Sequence, residues 1–400
     1  MINKFKFLSR NITRNFSNSI MSQTYKQPAH KLTMIPGPIE FSDEVLGAMA
    51  TPSQAHTSPE FVATFQSVLK NLRTVFKSHD SKSQPYVISG SGTLGWDIVG
   101  SNLINPKDKV LVLSTGFFSD SFAECLKVYD ADVDVLTAPI GDVVPLDQIK
   151  KQLQQEKYTA ITITHVDTST SVLSDVKAIS ELVQQVSPET LIIVDAVCAV
   201  ASENIEFDNW KLDFVLTASQ KAIGVPAGLS ITYASARAVE KALSRSKDTT
   251  FFASLKRWTP IMKAYESGSG AYFATPAVQT ITALKVSLDA IIQEGIDARL
   301  QKHIDASNKF KKFVEGLGMS IVPVNHDVAA HGLTAVYFPE GVNGNEFLAA
   351  LAKKGFTVAG GIHKALIGKY FRVGHMSYSI YAGHVDQLSD AIDATIKELK

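Results

Sequence analysis

Short apolar runs alternate with longer amphipathic stretches between residues 86 and 233. The runs are dominated by aliphatic and β-branched side chains, which is typical of strands buried on both faces. The strands predicted on this basis are 86–89, 110–114, 133–136, 160–164, 191–195, 214–216 and 229–233. The intervening stretches have the length and period of helices. This alternation predicts an α/β fold with a large, mostly parallel sheet that helices cover on both faces.

A long helical pattern over 278–300 leads from this region into a second one. The elements predicted there are strands 333–337, 356–358 and 370–373 and helices 344–353 and 385–399. We therefore predict a large domain over residues 35–294 and a smaller C-terminal α/β domain over residues 295–400.

The composition argues against several classes of protein. At 45% hydrophobic and 20% charged residues, the chain has the make-up of a globular protein. The 39 basic and 39 acidic side chains balance, so nothing favours a nucleic-acid partner. No apolar run approaches the roughly 20 residues that a membrane span requires. With only Cys125 and Cys198 and no metal-binding spacing, we predict neither a disulfide framework nor a metal site.

Residues 1–34 form a basic segment that contains no acidic side chain. Apolar side chains recur at helical spacing on one side of it, and basic side chains form a stripe opposite. The apolar set is Phe5, Leu8, Ile12 and Phe16, and the basic set is Lys6, Arg10 and Arg14. This pattern is typical of a mitochondrial presequence and predicts a matrix protein, with a disordered or packing arm as the alternative. Initiation at Met21 would instead leave a cytoplasmic or peroxisomal form.

A lysine and an aspartate stand at the ends of two of the predicted strands. Lys221 lies in a turn of small residues just after 214–216, and Asp195 closes 191–195. Pyridoxal phosphate needs an amine to hold its aldehyde as a Schiff base and an acid to keep its ring nitrogen protonated. Either residue alone would be read as a surface lysine or a helix cap, but the pair favours a site for this cofactor.

The glycine-rich segment 90–95, GSGTLG, follows a predicted strand and opens a helix. Free N–H groups at a helix start suit a phosphate, which makes Ser91, Gly92 and Thr93 candidate ligands. The spacing also matches a dinucleotide fingerprint, which expects an acid near the end of the next strand to hold a ribose. The first acid after strand 110–114 is Asp120, so a single phosphate group is the better ligand.

Two apolar residues are candidates for the faces of a cofactor ring. Asp195 and Val197 are two apart and point the same way on an extended segment, so Val197 can pack on a ring that Asp195 contacts. Phe118 lies in a turn after strand 110–114 and could cover the opposite face, although a core position is the usual place for a phenylalanine.

Arg372 is a charged residue inside the apolar strand 370–373. Its planar fork matches a carboxylate, so it could bind the α-carboxylate of an amino acid. An internal ion pair is an equally good explanation from the sequence.

Eight segments together resemble the class V, fold-type I aminotransferases that use pyridoxal 5′-phosphate, in particular the fungal alanine:glyoxylate group. The resemblance covers essentially the whole chain after the N-terminal segment, and the order and spacing of the segments make it specific. The segments are PGP (36–38), HTSPEF (56–61), GSGTLGWD (90–97), THVDTST (164–170), VDAV (194–197), TASQKAIG (217–224), AYFATP (271–276) and FRVGH (371–375).

The resemblance implies a role for each candidate residue. Lys221 would carry the cofactor, Asp195 would pair with its ring nitrogen, and Arg372 would bind the substrate carboxylate. The phosphate would be held by Ser91, Gly92, Thr93 and Gln220, and the ring hydroxyl side by Thr168. Tyr272 and Thr275 would reach the phosphate of the other subunit, which implies a homodimer with a shared site. Two positions depart from animal relatives, which carry Trp in place of Phe118 and His in place of Thr93.

The resemblance implies transamination between small amino acids and 2-oxo acids, with L-alanine as donor and glyoxylate as acceptor. Serine:pyruvate or serine:glyoxylate activity stays open, because alanine and serine differ by one hydroxyl. A cysteine desulfurase would need a cysteine on a mobile loop, and a phosphoserine enzyme would need additional arginines. Among other classes, a dehydrogenase lacks its ribose-binding acid, and an inactive scaffold would not be expected to keep Lys221, Asp195 and Arg372 together.

Overall fold

The computed structural model describes residues 25–400, and the apolar and basic stripes noted between residues 5 and 16 lie outside this range. The strands are β1 Leu32–Thr33, β2 Gln84–Gly90, β3 Lys109–Ser114, β4 Asp132–Thr137, β5 Ala160–Thr164, β6 Val166–Asp167, β7 Val172–Leu173, β8 Leu191–Asp195, β9 Phe214–Ala218, β10 Gly228–Ala234, β11 Leu333–Tyr337, β12 Phe356–Thr357, β13 Ala359–Gly360 and β14 Tyr370–Gly374. The α-helices are α1 Asp43–Met49, α2 Pro59–Val75, α3 Gly92–Asn102, α4 Phe117–Val128, α5 Leu146–Gln155, α6 Val176–Val186, α7 Ala236–Ser244, α8 Leu255–Glu266, α9 Val278–Glu294, α10 Ile296–Gly316, α11 Gly344–Lys353, α12 Tyr378–Tyr381 and α13 His384–Leu399. Two short 3-10 helices span His326–Val328 and Lys364–Leu366.

The seven strands predicted from apolar runs form one central sheet, in the order β2-β10-β9-β8-β5-β3-β4. Strand β10 runs antiparallel to both of its neighbours, and the other six strands run parallel to one another. Every residue of β5, β8 and β9 is buried, as expected for strands that helices cover on both faces. The predicted α/β fold class, with a mostly parallel sheet that helices cover on both faces, is confirmed.

Helix α3 packs closely against the sheet, which places its N-terminus beside the ends of the strands. A side chain at Gly95 would bring its Cβ within 2.8 Å of the Cβ of Leu216, so the helix can approach this closely only with glycine there. The sheet and its helices enclose the main hydrophobic core. The position of α3 is therefore determined by packing as well as by the turn that precedes it.

The C-terminal region has a core of its own around a three-stranded antiparallel sheet in the order β11-β14-β13. Two elements differ from the sequence prediction. The helix expected over 278–300 is divided at Gly295, whose φ of 85° a helix cannot accommodate, so that α9 ends before it and α10 begins after it. The strand expected over 356–358 is found as the shorter β12, which pairs with β1, and a separate strand, β13, follows it and pairs with β14.

The pairing of β1 with β12 ties the start of the described chain to the C-terminal region. Met34, which follows β1, is fully buried in the C-terminal core. The next residues, Ile35 and Pro36, lie against Gly374 at the end of β14. This route brings Pro36 and Gly37 to the edge of the central sheet. Within residues 25–400, no helix is both long and apolar enough to cross a membrane.

Candidate active site

A cavity lies at the edge of the central sheet where the parallel strands β2, β3, β5, β8 and β9 have their carboxyl ends. Nine residues predicted from the sequence line it together: Ser91, Gly92, Thr93, Phe118, Thr168, Asp195, Val197, Gln220 and Lys221. Trp96, Thr164 and Val166 also line the cavity and were not predicted. The position of Trp96, one turn after Gly92 on the same face of α3, is the signal that could have revealed it.

Asp195 ends β8 with its carboxylate buried, only 3% of the residue being exposed. One carboxylate oxygen accepts a hydrogen bond from the indole N–H of Trp96 at 2.7 Å, and the other accepts one from the Val197 N–H at 3.0 Å. Burial raises the pKa of Asp195 to about 6, against the opposing effect of these two hydrogen bonds. A carboxylate in this environment would be stabilised by a cationic partner in the cavity.

Lys221 is also buried, and its Nζ donates a hydrogen bond to the Pro36 carbonyl at 2.7 Å. Gly37 follows with a φ of 129°, and a Cβ at this position would lie 2.6 Å from that same nitrogen. The segment that leads from β1 therefore forms the wall against which the lysine rests. Only glycine leaves room there for the amine.

The N-terminus of α3 faces the cavity opening. Ser91 precedes the helix in an extended conformation, its side chain makes no capping hydrogen bond, and the first turn contains no acid. The first N–H groups of a helix have no partner within it, and the helix dipole favours an anion there. Among the described residues, the Oε1 of Gln220 is buried without a hydrogen-bond partner. The free N–H groups at the start of α3 can bind a phosphate, and Gln220 could add a donor through its amide nitrogen, since its Oε1 only accepts hydrogen bonds.

Phe118 and Val197 contribute the apolar part of the lining. Phe118 lies at the start of α4, where the carboxylate of Asp167 holds the preceding turn. That carboxylate accepts hydrogen bonds from the Ser119 N–H at 3.1 Å and the Ser169 N–H at 2.9 Å. A buried acid thus determines where the aromatic ring is placed.

Arg372 lies beside the cavity lining but is not part of it. Its guanidinium donates to the Gly360 carbonyl, at 3.0 and 2.9 Å, and to the Thr168 carbonyl at 3.3 Å. No carboxylate of residues 25–400 lies within ion-pair distance of it, so the internal ion pair considered from the sequence is not formed by this part of the chain. The guanidinium is held by neutral carbonyls, and no acid within the described chain forms an ion pair with it.

Tyr272 and Thr275 are exposed and do not line this cavity. The Tyr272 side chain is 62% exposed, and its ring lies 5.0 Å from the ring of His56. Nearby, Phe251 is 67% exposed and its ring lies 5.4 Å from that of Phe273. This part of the surface is therefore aromatic and accessible in the single chain.

Comparisons with known proteins identify the family. The family described as aminotransferase class-V matches residues 39–383. The chain belongs to the class V aminotransferases. It is 51% identical to alanine–glyoxylate aminotransferase 1 of Saccharomyces cerevisiae, over 90% of this chain and 95% of the relative. It is 28% identical to serine–glyoxylate aminotransferase of Arabidopsis thaliana, over 92% and 89% of the two chains.

Among solved structures, alanine–glyoxylate aminotransferase from Nostoc sp. superimposes on this aminotransferase with a TM-score of 0.86 at 27% identity. The match covers 93% of this chain and 96% of the Nostoc chain.

The cofactor of this aminotransferase is pyridoxal phosphate, as its family implies. The cavity contains the groups that the cofactor requires: a buried carboxylate in Asp195, an amine in Lys221 and an anion-binding helix start at Ser91. The unpartnered Oε1 of Gln220 at the same opening is a further polar group that a bound ligand could engage. Within residues 25–400, no cluster of side chains suited to a metal ion is present.

We predict that Asp195 makes the stability of the cofactor-free protein fall as the pH rises from about 4 to about 6. Its folded pKa of about 6 exceeds the ordinary value of 3.8, so the folded protein binds this proton more tightly than the unfolded chain. The carboxyl therefore favours folding below this window and opposes it above. Relative to Asp195→Asn, the parent should lose on the order of 3 kcal/mol across the window.

The measurement is the free energy of unfolding of both cofactor-free proteins as a function of pH. Asp147→Asn, at an exposed carboxylate in the first turn of α5, is the matched control and should follow the parent profile. Parallel profiles for the parent and Asp195→Asn would contradict the prediction.

Proposed function

We propose that this aminotransferase transfers the amino group of L-alanine to glyoxylate, giving pyruvate and glycine. The observation that carries the proposal is the 51% identity with the yeast alanine–glyoxylate aminotransferase, which extends over nearly the full length of both chains. The cavity supports it, because it joins the amine, carboxylate and phosphate-binding groups that transamination requires. Residues 35–294 would form the cofactor-binding domain and residues 295–400 the smaller domain.

Pyridoxal phosphate, when bound, supplies an aldehyde that accepts the amino group and a ring that takes up the negative charge developed at the substrate Cα. Lys221 would hold the cofactor and, once the substrate amine has displaced it, would act as the base that takes the proton from the substrate Cα and then as the acid that returns it. The Pro36 carbonyl, which accepts a hydrogen bond from its Nζ, orients this amine before the cofactor binds.

Asp195 is proposed to keep the ring nitrogen protonated. A carboxylate whose own charged form is disfavoured by burial gains most from an adjacent cation. The indole N–H of Trp96 and the backbone N–H of Val197 each donate to one carboxylate oxygen. The carboxylate therefore has a fixed orientation in the cavity. The negative charge of Asp195 would be available to the ring nitrogen without any rearrangement of the site.

The remaining lining residues are proposed to bind and orient the cofactor. Phe118 and Val197 would cover the two faces of the ring, and Thr168 would lie near its hydroxyl. The phosphate would be bound at the start of α3 by Ser91, Gly92, Thr93 and Gln220.

Arg372 is proposed to bind the α-carboxylate of both the amino acid and the 2-oxo acid. It carries a buried positive charge next to the cavity, and its described partners are carbonyls rather than an acid. Burial lowers the pKa of Arg372, which reflects the unfavourable desolvation of this cation. An anionic substrate would compensate the charge.

Alanine and glyoxylate should react one after the other in a single assay, the first as amino donor and the second as acceptor. The visible absorption of the bound cofactor should fall when alanine alone is added and return when glyoxylate follows, with pyruvate and glycine formed in equal amounts. Lys221→Ala should abolish turnover, because no amine remains to move the Cα proton. The alternative, serine as donor, has support from the more distant Arabidopsis relative. A clear preference for serine over alanine in kcat/KM would make that alternative the correct one.

Changing Arg372 to lysine should raise KM for alanine and glyoxylate together, by roughly 10- to 100-fold. Lysine keeps the charge but loses the fork that engages a carboxylate at two points, and a hydrogen bond to a charged group contributes about 1.5–3 kcal/mol. The matched control is Arg237→Lys, because Arg237 forms an ion pair with Asp213 at the opposite end of the strands. If both variants lose only stability, Arg372 is a structural residue.

We also propose that the enzyme is a homodimer whose two sites each receive Tyr272 and Thr275 from the partner. The exposed aromatic surface around Tyr272 and Phe251 supports this, since large exposed apolar groups commonly mark an interface. In a single chain these residues lie away from the cavity lining, so a second copy would be needed to bring them to it.

A mixing experiment tests the shared site. Lys221→Ala and Tyr272→Ala proteins should each be severely impaired, and exchange of their subunits should restore activity. Each heterodimer would contain one site with both groups intact, so a random equimolar mixture should recover about a quarter of the parent activity. Verified subunit exchange without recovery would exclude sharing through Tyr272.

The proposed location is the mitochondrial matrix, on the basis of the basic, acid-free composition of residues 1–34. These residues fused to a fluorescent reporter should direct it to mitochondria. The same fusion with Arg10→Glu and Arg14→Glu should stay outside, because the cationic face that responds to the membrane potential is lost. Cytosolic fluorescence from the unmodified fusion would overturn the proposal and favour a structural role for residues 1–34.

A further inference from the structure

Arg299, near the start of α10, reaches from the C-terminal region into the turns that follow the two central residues of the site. Only 5% of the residue is exposed. Its Nε donates to the Ala201 carbonyl at 3.3 Å, and its Nη2 donates to the Ala222 carbonyl at 2.8 Å. Ala222 directly follows Lys221, and Ala201 lies in the turn that follows Asp195. A single guanidinium therefore connects both turns.

The two turns follow neighbouring strands, so the distance between the turns affects how Lys221 and Asp195 are placed relative to each other. The turn after β8 is closed by hydrogen bonds such as that from the Val200 N–H to the Ala196 carbonyl at 3.0 Å. The turn after β9 is closed by the Gly224 N–H, which donates to the Lys221 carbonyl at 2.7 Å. The strands are paired only up to Asp195 and Leu216. Beyond that point, the guanidinium is a bridge between the two chain segments.

A third contact connects this bridge to the C-terminal region. The Nη2 of Arg299 donates to the Ser377 hydroxyl at 2.9 Å, and Ser377 has a φ of 50°, in the left-handed region. The Ser377 N–H donates to the Nε2 of His303 at 3.1 Å, and the Nδ1 of His303 lies 2.8 Å from the Arg299 carbonyl. A Cβ at Gly224 would lie 2.5 Å from the Ser377 hydroxyl, so that hydroxyl sits directly against the Lys221 turn.

The charge of Arg299 is shared with one acid at the edge of this network. Glu294, the last residue of α9, lies 3.3 Å from Nη1 and also binds Lys302 at 2.7 Å. The division of the long helix at Gly295 places Glu294 and Arg299 on either side of the break. The other side of the guanidinium faces carbonyls, which its several fixed donors can satisfy at once.

We propose that Arg299 is a positioning residue that holds the Lys221 turn in register with the Asp195 turn and so sets the placement of the Lys221 amine. The proposal rests on the roles given above to Lys221 and Asp195. Arg299 does not line the cofactor cavity. Its effect would therefore be on the chemical step rather than on substrate binding.

Arg299→Lys is the main test, because lysine keeps the charge but cannot donate to both carbonyls from the same geometry. We expect kcat per bound cofactor to fall about tenfold or more, while KM for alanine and glyoxylate stays within about twofold of the parent. The pH at which the visible absorption of the bound cofactor changes should also shift by about half a unit or more, because it reports the surroundings of Lys221.

Lys302→Met is the matched control. Lys302 lies on the same helix and binds the same acid, Glu294, but no hydrogen bond connects it to either turn in the described chain. Its kcat and its absorption profile should match those of the parent.

A separate cavity of about 350 Å³ borders Arg299 and allows a rescue experiment. It is lined in part by Gly224, Glu294, Ser377 and Tyr381, so a small cation could reach the vacated position in Arg299→Ala. Added guanidinium ion at non-denaturing concentration should raise kcat of Arg299→Ala severalfold and leave Lys302→Met unchanged.

Unchanged kcat and absorption per bound cofactor in Arg299→Lys would overturn the proposal and assign Arg299 to stability alone. Failure of both Arg299 variants to fold would have the same meaning. If the parent enzyme does not convert alanine and glyoxylate, the proposed function fails by itself. The Arg299 test is then made with the amino donor that the parent accepts, and the absorption measurement needs no substrate.

Discussion

A buried carboxylate organises this site. Asp195 lies at the end of a strand that is buried along its whole length, and the surrounding apolar sheet disfavours its charged form. Two hydrogen bonds hold it, one from its own turn and one from Trp96 on α3. The approach of α3 that makes the second bond possible depends in turn on Gly95. The position of the phosphate-binding helix start and the position of the acid are thus parts of the same packing arrangement.

The site also depends on chain segments from outside the central sheet. The Pro36 carbonyl that accepts from Lys221 is carried there by the segment leading from β1, which pairs with a strand of the C-terminal region. Arg372 and Tyr370 of β14 hold the segment that contains Thr168. The Tyr370 hydroxyl donates to the Ser169 carbonyl, next to Thr168, whose carbonyl accepts from Arg372. Motion of the C-terminal region relative to the sheet would therefore change the surroundings of both the amine and the substrate-binding arginine.

Membership of the class V family and the geometry of the cavity contribute different parts of the functional assignment. The family establishes an aminotransferase that uses pyridoxal phosphate. The choice between alanine and serine depends on one hydroxyl, and the groups that would distinguish them must lie close to the substrate side chain. The high identity with the yeast enzyme favours alanine, because it extends over nearly the full length of both chains.

The sequence by itself determined the strands of the central sheet, the fold class and nine of the twelve residues that line the cavity. Most of these features follow from local patterns: apolar runs of strand length, a glycine-rich turn before a helix, and reactive side chains at the carboxyl ends of strands. Thr168 and Gln220 were identified only through the resemblance to the family. Tertiary structure alone decided the features that join distant positions. The bond between Trp96 and Asp195 spans 99 residues, and the contact of Arg299 with Ala222 spans 77. The tertiary structure also revealed the break at Gly295 and the carbonyl partners of Arg372. Periodicity reports which face of an element is buried, but not which element lies against it, because that depends on how the whole chain packs.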